Sequence, residues 1–298
     1  MLHRRQIRII SVVILILAAA CSFISPKTTG TPTIPAVTNT PGTPTPTEPP
    51  MALRVNGEGV WLAEYQASLQ QFQQAQTSAG TTYTDSEARQ MVIDDLVNQV
   101  LLEQGAIAAG YQPDPVAVQN RMDALAAQMG GQDAFQTWLQ NNFYTTDSFN
   151  QSLALGMAVE WEKQQIMSQV PTSAEQVHAR QILAYSSDNA NAAYTRLQSG
   201  TTFDDLAFQY DPLTGGDLGW FPRGYLTQKA IEDAAFSLQP GQYSGVIQTE
   251  LGFQIIEVIE RDPAYPLSPD ALRTLQKVAL ANWLVQQKAN STIEVLVP

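Results

Sequence analysis

Histidine and cysteine, which often serve as bases, nucleophiles or metal ligands, are almost absent from this sequence. Its 298 residues include two histidines, His3 and His178, and one cysteine, Cys21. Because His3 lies in a segment with the pattern of an export signal, only one histidine is left for the folded part. Counting therefore excludes a histidine pair, a His–Asp–Ser triad and a histidine-rich metal site. It also excludes a disulfide framework and a CxxC or zinc cluster, and we expect neither a metal nor a cofactor.

A glycine-rich stretch, Gly215 to Gly219, is the next candidate for chemistry because glycine runs can bind phosphate. The stretch reads GGDLG, has neither the GxGxxG nor the Walker spacing, and is not followed by a lysine. It therefore predicts a structural loop rather than a nucleotide site.

The same stretch is one of five motifs that occur in the order found in the parvulin (PpiC-type) family of prolyl isomerases. The segment 177–261 resembles that family along its whole length. The motifs are VHARQIL at 177–183, FDDLA at 203–207, GGDLGWF at 215–221, EDAAFSLQPG at 232–241 and GFQII at 252–256. One such motif is weak, whereas five in order are strong. The resemblance implies catalysis of cis–trans isomerisation of the peptide bond before proline.

The resemblance also implies an apolar pocket for the proline ring, lined by Leu218, Leu226, Ile231 and Phe253. Ile231 stands where the family prefers phenylalanine, and it is one residue farther from Leu226 than usual. Leu218 and Ile231 could equally be ordinary core residues. Such a site needs neither a nucleophile nor a metal, because amide resonance alone sets the uncatalysed barrier of about 18–20 kcal/mol.

Three polar residues stand at positions that the resemblance marks as catalytic. The family usually has two histidines that face each other beneath the pocket, and Gln181 and Gln254 occupy those positions here. Glutamine donates and accepts hydrogen bonds as neutral histidine does, but it cannot titrate near pH 7. Asp211 is the only acid in the short loop that could replace the family's Cys or Asp. His178 is three residues before Gln181, so strand alternation predicts a surface histidine on the opposite face.

The N-terminus has the pattern of a lipoprotein signal. A basic start precedes an apolar run that is shorter than the roughly 20 residues of a membrane span, and three alanines then lead directly to Cys21. We therefore predict a signal peptide at 1–20 and a lipidated Cys21 that anchors the chain to the cell membrane on its extracytoplasmic side. Residues 21–50 are rich in Pro and Thr and predict a disordered linker.

The charge of the chain limits its partners. The formal net charge is −12, and removal of the three signal arginines with no acid takes it to about −15. Acidity of this size argues against nucleic acid as a partner and disfavours adsorption to anionic lipid, so that a covalent anchor becomes more necessary. We expect the partners to be unfolded or Xaa-Pro-containing exported polypeptides.

Periodicity after the linker predicts an α+β fold with a discontinuous helical domain. Residues 52–170 have mostly helical spacing, and residues 171–262 predict a parvulin domain with a small antiparallel sheet and surrounding helices. Residues 263–298 predict a helix and a last strand that pack on the N-terminal domain. The parvulin domain is thus expected as an insert in a helical, chaperone-like domain. These flanks resemble more loosely those of exported foldases of the PrsA and SurA type.

Several element boundaries are specific enough to test. A capping box is expected at Thr84–Glu87, and a further helix is expected to begin with a cap at Thr146 or Asp147. The stretch 215–224 is expected to be a loop, and 253–259 is expected to be a strand followed by a proline-rich joint.

Three functions remain open at this stage. The first is an active isomerase that assists the folding of exported proteins. The second is a chaperone whose parvulin insert is catalytically weak and whose helical domain binds unfolded clients, a reading that Gln181 and Gln254 motivate. The third is a lipid-tethered scaffold with one dedicated partner.

Overall fold

The computed structural model describes residues 50–142 and 144–297. The predicted signal peptide, Cys21 and all but the last residue of the predicted linker lie outside these residues. The described strands are β1 (Met51–Val55), β2 (Glu58–Trp61), β3 (Ser173–Ala184), β4 (Asp217–Pro222), β5 (Ile247–Thr249), β6 (Gly252–Pro266) and β7 (Ile293–Val295). The described helices are α1 (Leu62–Ala79), α2 (Asp85–Ala108), α3 (Pro115–Gln128), α4 (Gln132–Asn141), α5 (Thr146–Ser168), α6 (Ser187–Gln198), α7 (Phe203–Tyr210), α8 (Lys229–Ser237) and α9 (Pro269–Ala289).

Side-chain caps explain where the two longest helices of the N-terminal half begin. The predicted capping box is confirmed at α2, where Thr84 accepts from the backbone N–H of Glu87 and the Glu87 carboxylate accepts from that of Thr84. The predicted cap of α5 at Thr146 or Asp147 is wrong by one residue, because Thr145 is the N-cap and forms its own box with Ser148. A serine at the third helical position satisfies the same backbone donors that a glutamate would.

A three-stranded sheet joins the two ends of the described chain in the order β2-β1-β7. Strand β7 pairs antiparallel with β1, and Leu53 lies opposite Val295. Both neighbours of β1 in this sheet are short strands. The core beneath the sheet is made by α1, α2 and the indole of Trp283 on α9. The C-terminal helix and strand therefore lie against the N-terminal helices.

A four-stranded antiparallel sheet in the order β4-β3-β6-β5 organises the remaining elements. Because side chains alternate along a strand, its two faces have separate cores. The first face packs against α8, with Ile256 and Val258 of β6 at its centre. The second packs against α6 and α7, with Ile182 and Ile255 at its centre.

Two strands of this sheet extend beyond their predicted limits. The expected loop 215–224 contains β4, which pairs with β3 after a tight turn at Gly215 and Gly216. Strand β6 continues to Pro266, so the expected proline-rich joint is strand as well. Pro263 lies at a register shift of the β3–β6 ladder, where a residue without an N–H interrupts no hydrogen bond.

Membrane-spanning character is not found in the part of the chain that the structure describes. None of its helices is both long enough and apolar enough to cross a bilayer.

Candidate functional site

An apolar cluster on the first face of the four-stranded sheet brings three of the four predicted pocket residues together. Leu218, Leu226 and Ile231 all pack in the core between this face and α8. Leu218 and Leu226 are half-buried, whereas Ile231 is only 2% exposed. Ile231 therefore forms the floor of the cluster, and the two leucines form its accessible part. We call this set of three side chains the apolar pocket.

A β-bulge explains why Leu218 belongs to this face. The ladder between β3 and β4 shifts register between Ala179 and Arg180, and Asp217 rather than Leu218 lies opposite Arg180. The extra residue turns Leu218 towards the apolar pocket while Asp217 stays with the second face.

The fourth predicted pocket residue, Phe253, is not brought to the apolar pocket. It lies on β6 next to Gln254 and alternates with it, so that it shares the second face with Ile255. Its direct neighbours across the ladders are Ala184 and Gln248. The assignment of Phe253 to the pocket lining is therefore corrected, because adjacent strand residues point to opposite faces.

A buried carboxylate holds the loop that carries Leu226. Glu232 lies in the first turn of α8 and is 7% exposed. Its two oxygens accept from the backbone N–H of Gly224 at 2.9 Å, and one of them also accepts from Tyr225 and Leu226 at 3.1 Å. Hydrogen bonds to an ionised acceptor are stronger than neutral ones, so this carboxylate fixes the side of the apolar pocket that Leu226 forms.

Gln254 lies beside the pocket in a hydrogen-bonded network. It is 2% exposed, and its Nε2 donates to Gln228 Oε1 at 2.7 Å and to Thr249 Oγ1 at 2.8 Å. Gln228 is the N-cap residue of α8, and Thr249 ends β5. Both amide hydrogens of Gln254 are therefore used, and the network links the last strand pair to the helix that carries Ile231.

Gln181 is on the same face as Gln254 but does not lie directly opposite it. Gln181 pairs with Ile256, and Gln254 pairs with Leu183, so the two glutamines are diagonal neighbours across β3 and β6. Because Gln254 gives both amide hydrogens to other residues, it can only accept from Gln181. The two glutamines thus share a face without forming the facing pair that the histidines of the family suggested.

The backbone of Gln181 is tied to the glycine-rich turn. Its N–H donates to the carbonyl of Gly216 at 2.9 Å. Gly216 has a φ of +70°, and a Cβ atom there would lie 1.9 Å from the Gln181 carbonyl oxygen. Only glycine allows this approach, so the GG pair sets the distance between the turn and the strand.

Asp211 ends α7 and organises the turn that leads into these glycines. Its carboxylate accepts from the backbone N–H of Leu213 at 3.1 Å and of Thr214 at 3.2 Å, and also from the Thr214 hydroxyl. These bonds, led by that of the Thr214 hydroxyl, hold the pKa of Asp211 below its usual range. Asp211 is thus an ionised group at the entrance to the glycine turn.

His178 lies on the second face, as strand alternation predicts. Its Nε2 is 2.9 Å from Asp217 Oδ1, and its ring stacks on Trp220, which in turn stacks on Tyr265 at 4.1 Å between centroids. Burial opposes the ionisation of Asp217, but hydrogen bonds from Gly219 and His178 hold the pKa of its carboxyl below the usual range.

Three residues that position the site were missed by sequence reasoning. Glu232 begins the motif EDAAFSLQPG, but its four hydrogen bonds from backbone N–H groups depend on how the 224–226 loop folds back. Gln228 and Thr249 become partners of Gln254 only when α8 and β5 meet over β6. An acid in the first turn of a helix, shortly after the segment Gly224-Tyr225-Leu226, is the signal that could have identified Glu232.

The arrangement combines an apolar surface with polar side chains whose hydrogen bonds are made within the protein. Among residues 50–142 and 144–297, no group of three acidic, histidine or cysteine side chains could hold a metal ion. The two half-buried leucines offer apolar contact to a group that binds beside them, above the buried Ile231.

Two family models match the chain. Residues 166–260 match the PPIC-type PPIASE domain, and residues 3–156 match the SurA-like N-terminal domain. The second match alone covers just over half of the chain. The parvulin resemblance carried by the five motifs is confirmed.

Named relatives extend this match over most of the chain. Foldase protein PrsA of Caldanaerobacter subterraneus is 30% identical over 227 residues, which are 68% of this chain and 71% of that protein. Foldase protein PrsA of Geobacillus sp. is 38% identical over 97 residues, but the match spans only 35% of that protein. A crystal structure of the peptidylprolyl isomerase PrsA from Bacillus cereus covers 79% of this chain and 84% of its own, at 19% identity and a TM-score of 0.43.

The predicted fold class is also confirmed, since small antiparallel sheets accompany a SurA-like helical region and a parvulin domain. These relatives are named as foldases. The chain therefore belongs to the PrsA family of parvulin-type foldases, and it is a peptidyl-prolyl cis–trans isomerase.

Proposed function

We propose that the apolar pocket on the first sheet face is the isomerase site, and that it acts on Xaa-Pro bonds of unfolded exported polypeptides. Leu218, Leu226 and Ile231 hold the proline ring in this proposal. The observation that carries it is their convergence in one cluster beside the buried amide of Gln254. Hydrophobic burial of the ring fixes the substrate without restraining the carbonyl that has to rotate.

Rotation about the amide bond needs a site that prefers the twisted form. The planar amide is stabilised by resonance, and the twisted form is less polar along its C–N bond. A pocket that removes water from the ring favours this form, and positioned hydrogen bonds can follow the rotating carbonyl. No proton is transferred and no bond is broken in this step, so neutral glutamines at 181 and 254 are compatible with it.

Asp211, Gln181 and Gln254 have different roles in the proposal. Gln254 links β6 to α8 through Gln228 and to β5 through Thr249. Gln181 holds the glycine turn through a hydrogen bond of its backbone N–H. Asp211 orders the turn with an ionised carboxylate. Gln254 and Asp211 are positioning residues, since their hydrogen bonds are made within the protein.

We further propose the domain division that the sequence suggests. A helical N-terminal domain at 52–170 and a C-terminal segment at 263–298 flank a parvulin domain at 171–262. Pairing of β7 with β1 supports this division, and so does the family match at 166–260. In this proposal the isomerase domain is an insert held by helices on both sides.

The proposal includes a lipid anchor at Cys21. The support is the position of the only cysteine directly after a basic start, an apolar run and three alanines. Residues 21–50 would then form a linker that separates the folded part from the membrane surface. Mass spectrometry of the chain expressed in a bacterium tests this, since an intact Met1 or an unmodified Cys21 would rule it out.

Exchange NMR on a short Ala-Pro peptide tests the site. We expect the full chain to accelerate cis–trans exchange, and Leu226→Ala to reduce kcat/KM roughly tenfold, because the ring loses apolar contact in the transition state. Leu296→Ala is the matched control, since this leucine is 53% exposed at the far end of the chain. Equal rates for both variants would reject the apolar pocket as the site, while the isomerase assignment of the family would stand.

A further inference from the structure

A buried carboxylate without a full set of partners lies among the helices α2, α5 and α9. Glu162 is on α5 and is 7% exposed. Its Oε2 atom is buried and has no hydrogen-bond partner among the described residues. A buried polar group that is left unpaired costs roughly 1–3 kcal/mol, and more when it is charged. A glutamate at this position therefore costs stability unless something outside the chain pairs with it.

Two clefts share this carboxylate. The first lies between α2, α5 and α9, and the second lies between α5, α9 and the segment that follows α5. Each has a volume of about 450 Å³, and Glu162 and Trp283 line both of them. The other polar lining is made of amides, which carry no charge: Gln104, Gln287, Gln169, Asn282 and Gln286. The volume is within the range of sites that hold small ligands.

Gly105 allows the carboxylate and the indole to meet. A Cβ atom at Gly105 would lie 2.7 Å from Trp283 Cζ2 and 3.1 Å from Glu162 Oε1. Glycine in the middle of a helix costs about 0.5–1 kcal/mol relative to alanine. Gly105 therefore lowers the stability of α2, at the position where the carboxylate of Glu162 and the indole of Trp283 both approach this helix.

The charge of Glu162 is not balanced from within the described part of the chain. The basic residue of the last turn of α9, Lys288, pairs with Asp94 instead. Burial raises the pKa of Glu162, as expected for a carboxyl that lacks a positive partner. A cation that entered either cleft would supply the missing partner.

We propose that these clefts bind an arginine or lysine side chain of an unfolded client polypeptide, with the cation on Glu162 and its alkyl stem along Trp283. Arginine and lysine bury their alkyl stems along apolar surfaces while the charged head reaches a polar partner. The formal net charge of −12 favours the approach of a basic segment. This is a client-binding site separate from the isomerase site, and the chemistry that it recognises is a basic side chain beside apolar residues.

Fluorescence anisotropy with the purified full chain tests the proposal. The probe is a short labelled peptide with one arginine among alanines and leucines, and its control is the same peptide with citrulline, which is isosteric and neutral. We expect the arginine peptide to bind roughly tenfold more tightly, as loss of a charge-assisted hydrogen bond implies. Equal affinity for the two peptides would overturn the proposal without any mutation.

Variants then locate the binding. Glu162→Gln is expected to remove the preference for arginine, and Trp283→Leu is expected to weaken both peptides. Glu160→Gln, on the exposed side of the same helix, is the matched control and should bind as the unaltered chain does. The melting temperature of Glu162→Gln should be unchanged or higher, because an unpaired buried charge is removed. A retained arginine preference in this variant, or a lower melting temperature, would overturn the proposal.

Discussion

Two buried glutamates, one in the parvulin region and one in the helical region, differ in their hydrogen bonding. Glu232 and Glu162 are each 7% exposed, but their surroundings differ. Glu232 accepts from three successive backbone N–H groups of the 224–226 loop, whereas one oxygen of Glu162 has no partner in the described chain. A satisfied carboxylate of this kind builds a rigid site. An unsatisfied one costs stability and is expected where something outside the chain completes it.

The pKa values of the acids also differ between the sheet region and the helical region. In the sheet region, hydrogen bonds hold the pKa of Asp211 below its usual range. In the helical region, burial raises the pKa of Glu64 and that of Glu162. Thus hydrogen bonds favour the charged form of the acid in the sheet region, whereas desolvation disfavours the charged form of these two acids in the helical region. The exposed capping residue Glu87, whose pKa is lowered by its bonds to Thr84, is the exception in the helical half.

The largest expected effect comes from removing each glutamate. Glu232→Ala leaves three backbone donors without an acceptor and should lower the free energy of unfolding by about 3 kcal/mol. Glu162→Leu removes an unpaired buried charge and should raise it by about 1 kcal/mol. Urea unfolding followed by circular dichroism measures both, with the exposed Asp233→Ala as a control expected to change little. Equal destabilisation by the two variants would break the comparison.

Two glycines extend the comparison to the backbone. At Gly216 a Cβ atom meets the Gln181 carbonyl oxygen at 1.9 Å, whereas at Gly105 it meets only the ends of the Trp283 and Glu162 side chains. We expect Gly216→Ala to cost about 2 kcal/mol more than Gly105→Ala, because side chains can move aside and a paired strand cannot. The same unfolding experiment measures this difference, and a costlier Gly105→Ala would contradict it.

A smaller effect concerns pH. Burial and the charge of Glu58 raise the pKa of Glu103 from its usual 4.5 to about 7. Between these two values the folded state holds more protons than the unfolded state, so stability falls as pH rises through this window. Because the group is partly exposed, we expect a loss of about 1 kcal/mol. Glu103→Gln should remove this part of the pH dependence, and unfolding at pH values on both sides of the window checks it. An unchanged slope would refute the assignment.

The sequence predicted what is local in this molecule. The capping box at Thr84 depends on neighbours within a few residues, and it was found. The missed strand β4 forms only because β3 is beside it, and its bulge cannot be inferred from six residues alone.

The candidate site was predictable to a similar extent. Leu218, Leu226 and Ile231 pack in one cluster, and their role in holding a proline ring stays a prediction. Phe253 was misplaced although alternation with Gln254 was sufficient to separate them. The partners of Gln254 could not be predicted, because contacts between α8, β5 and β6 depend on tertiary packing.

The central claim is that this sheet face is an isomerase site in which Gln181 and Gln254 replace a pair of titrating histidines. The pH dependence of catalysis tests this claim most directly. Exchange NMR on an Ala-Pro peptide should show acceleration by the full chain that is nearly constant from about pH 5.5 to about pH 8, since glutamine does not titrate. Asp211 remains ionised across this range, and His178 lies on the opposite face. Gln254→His should introduce an inflection near a pKa of about 6.5. Absence of acceleration by the unaltered chain, or an inflection already present in it, would contradict the account.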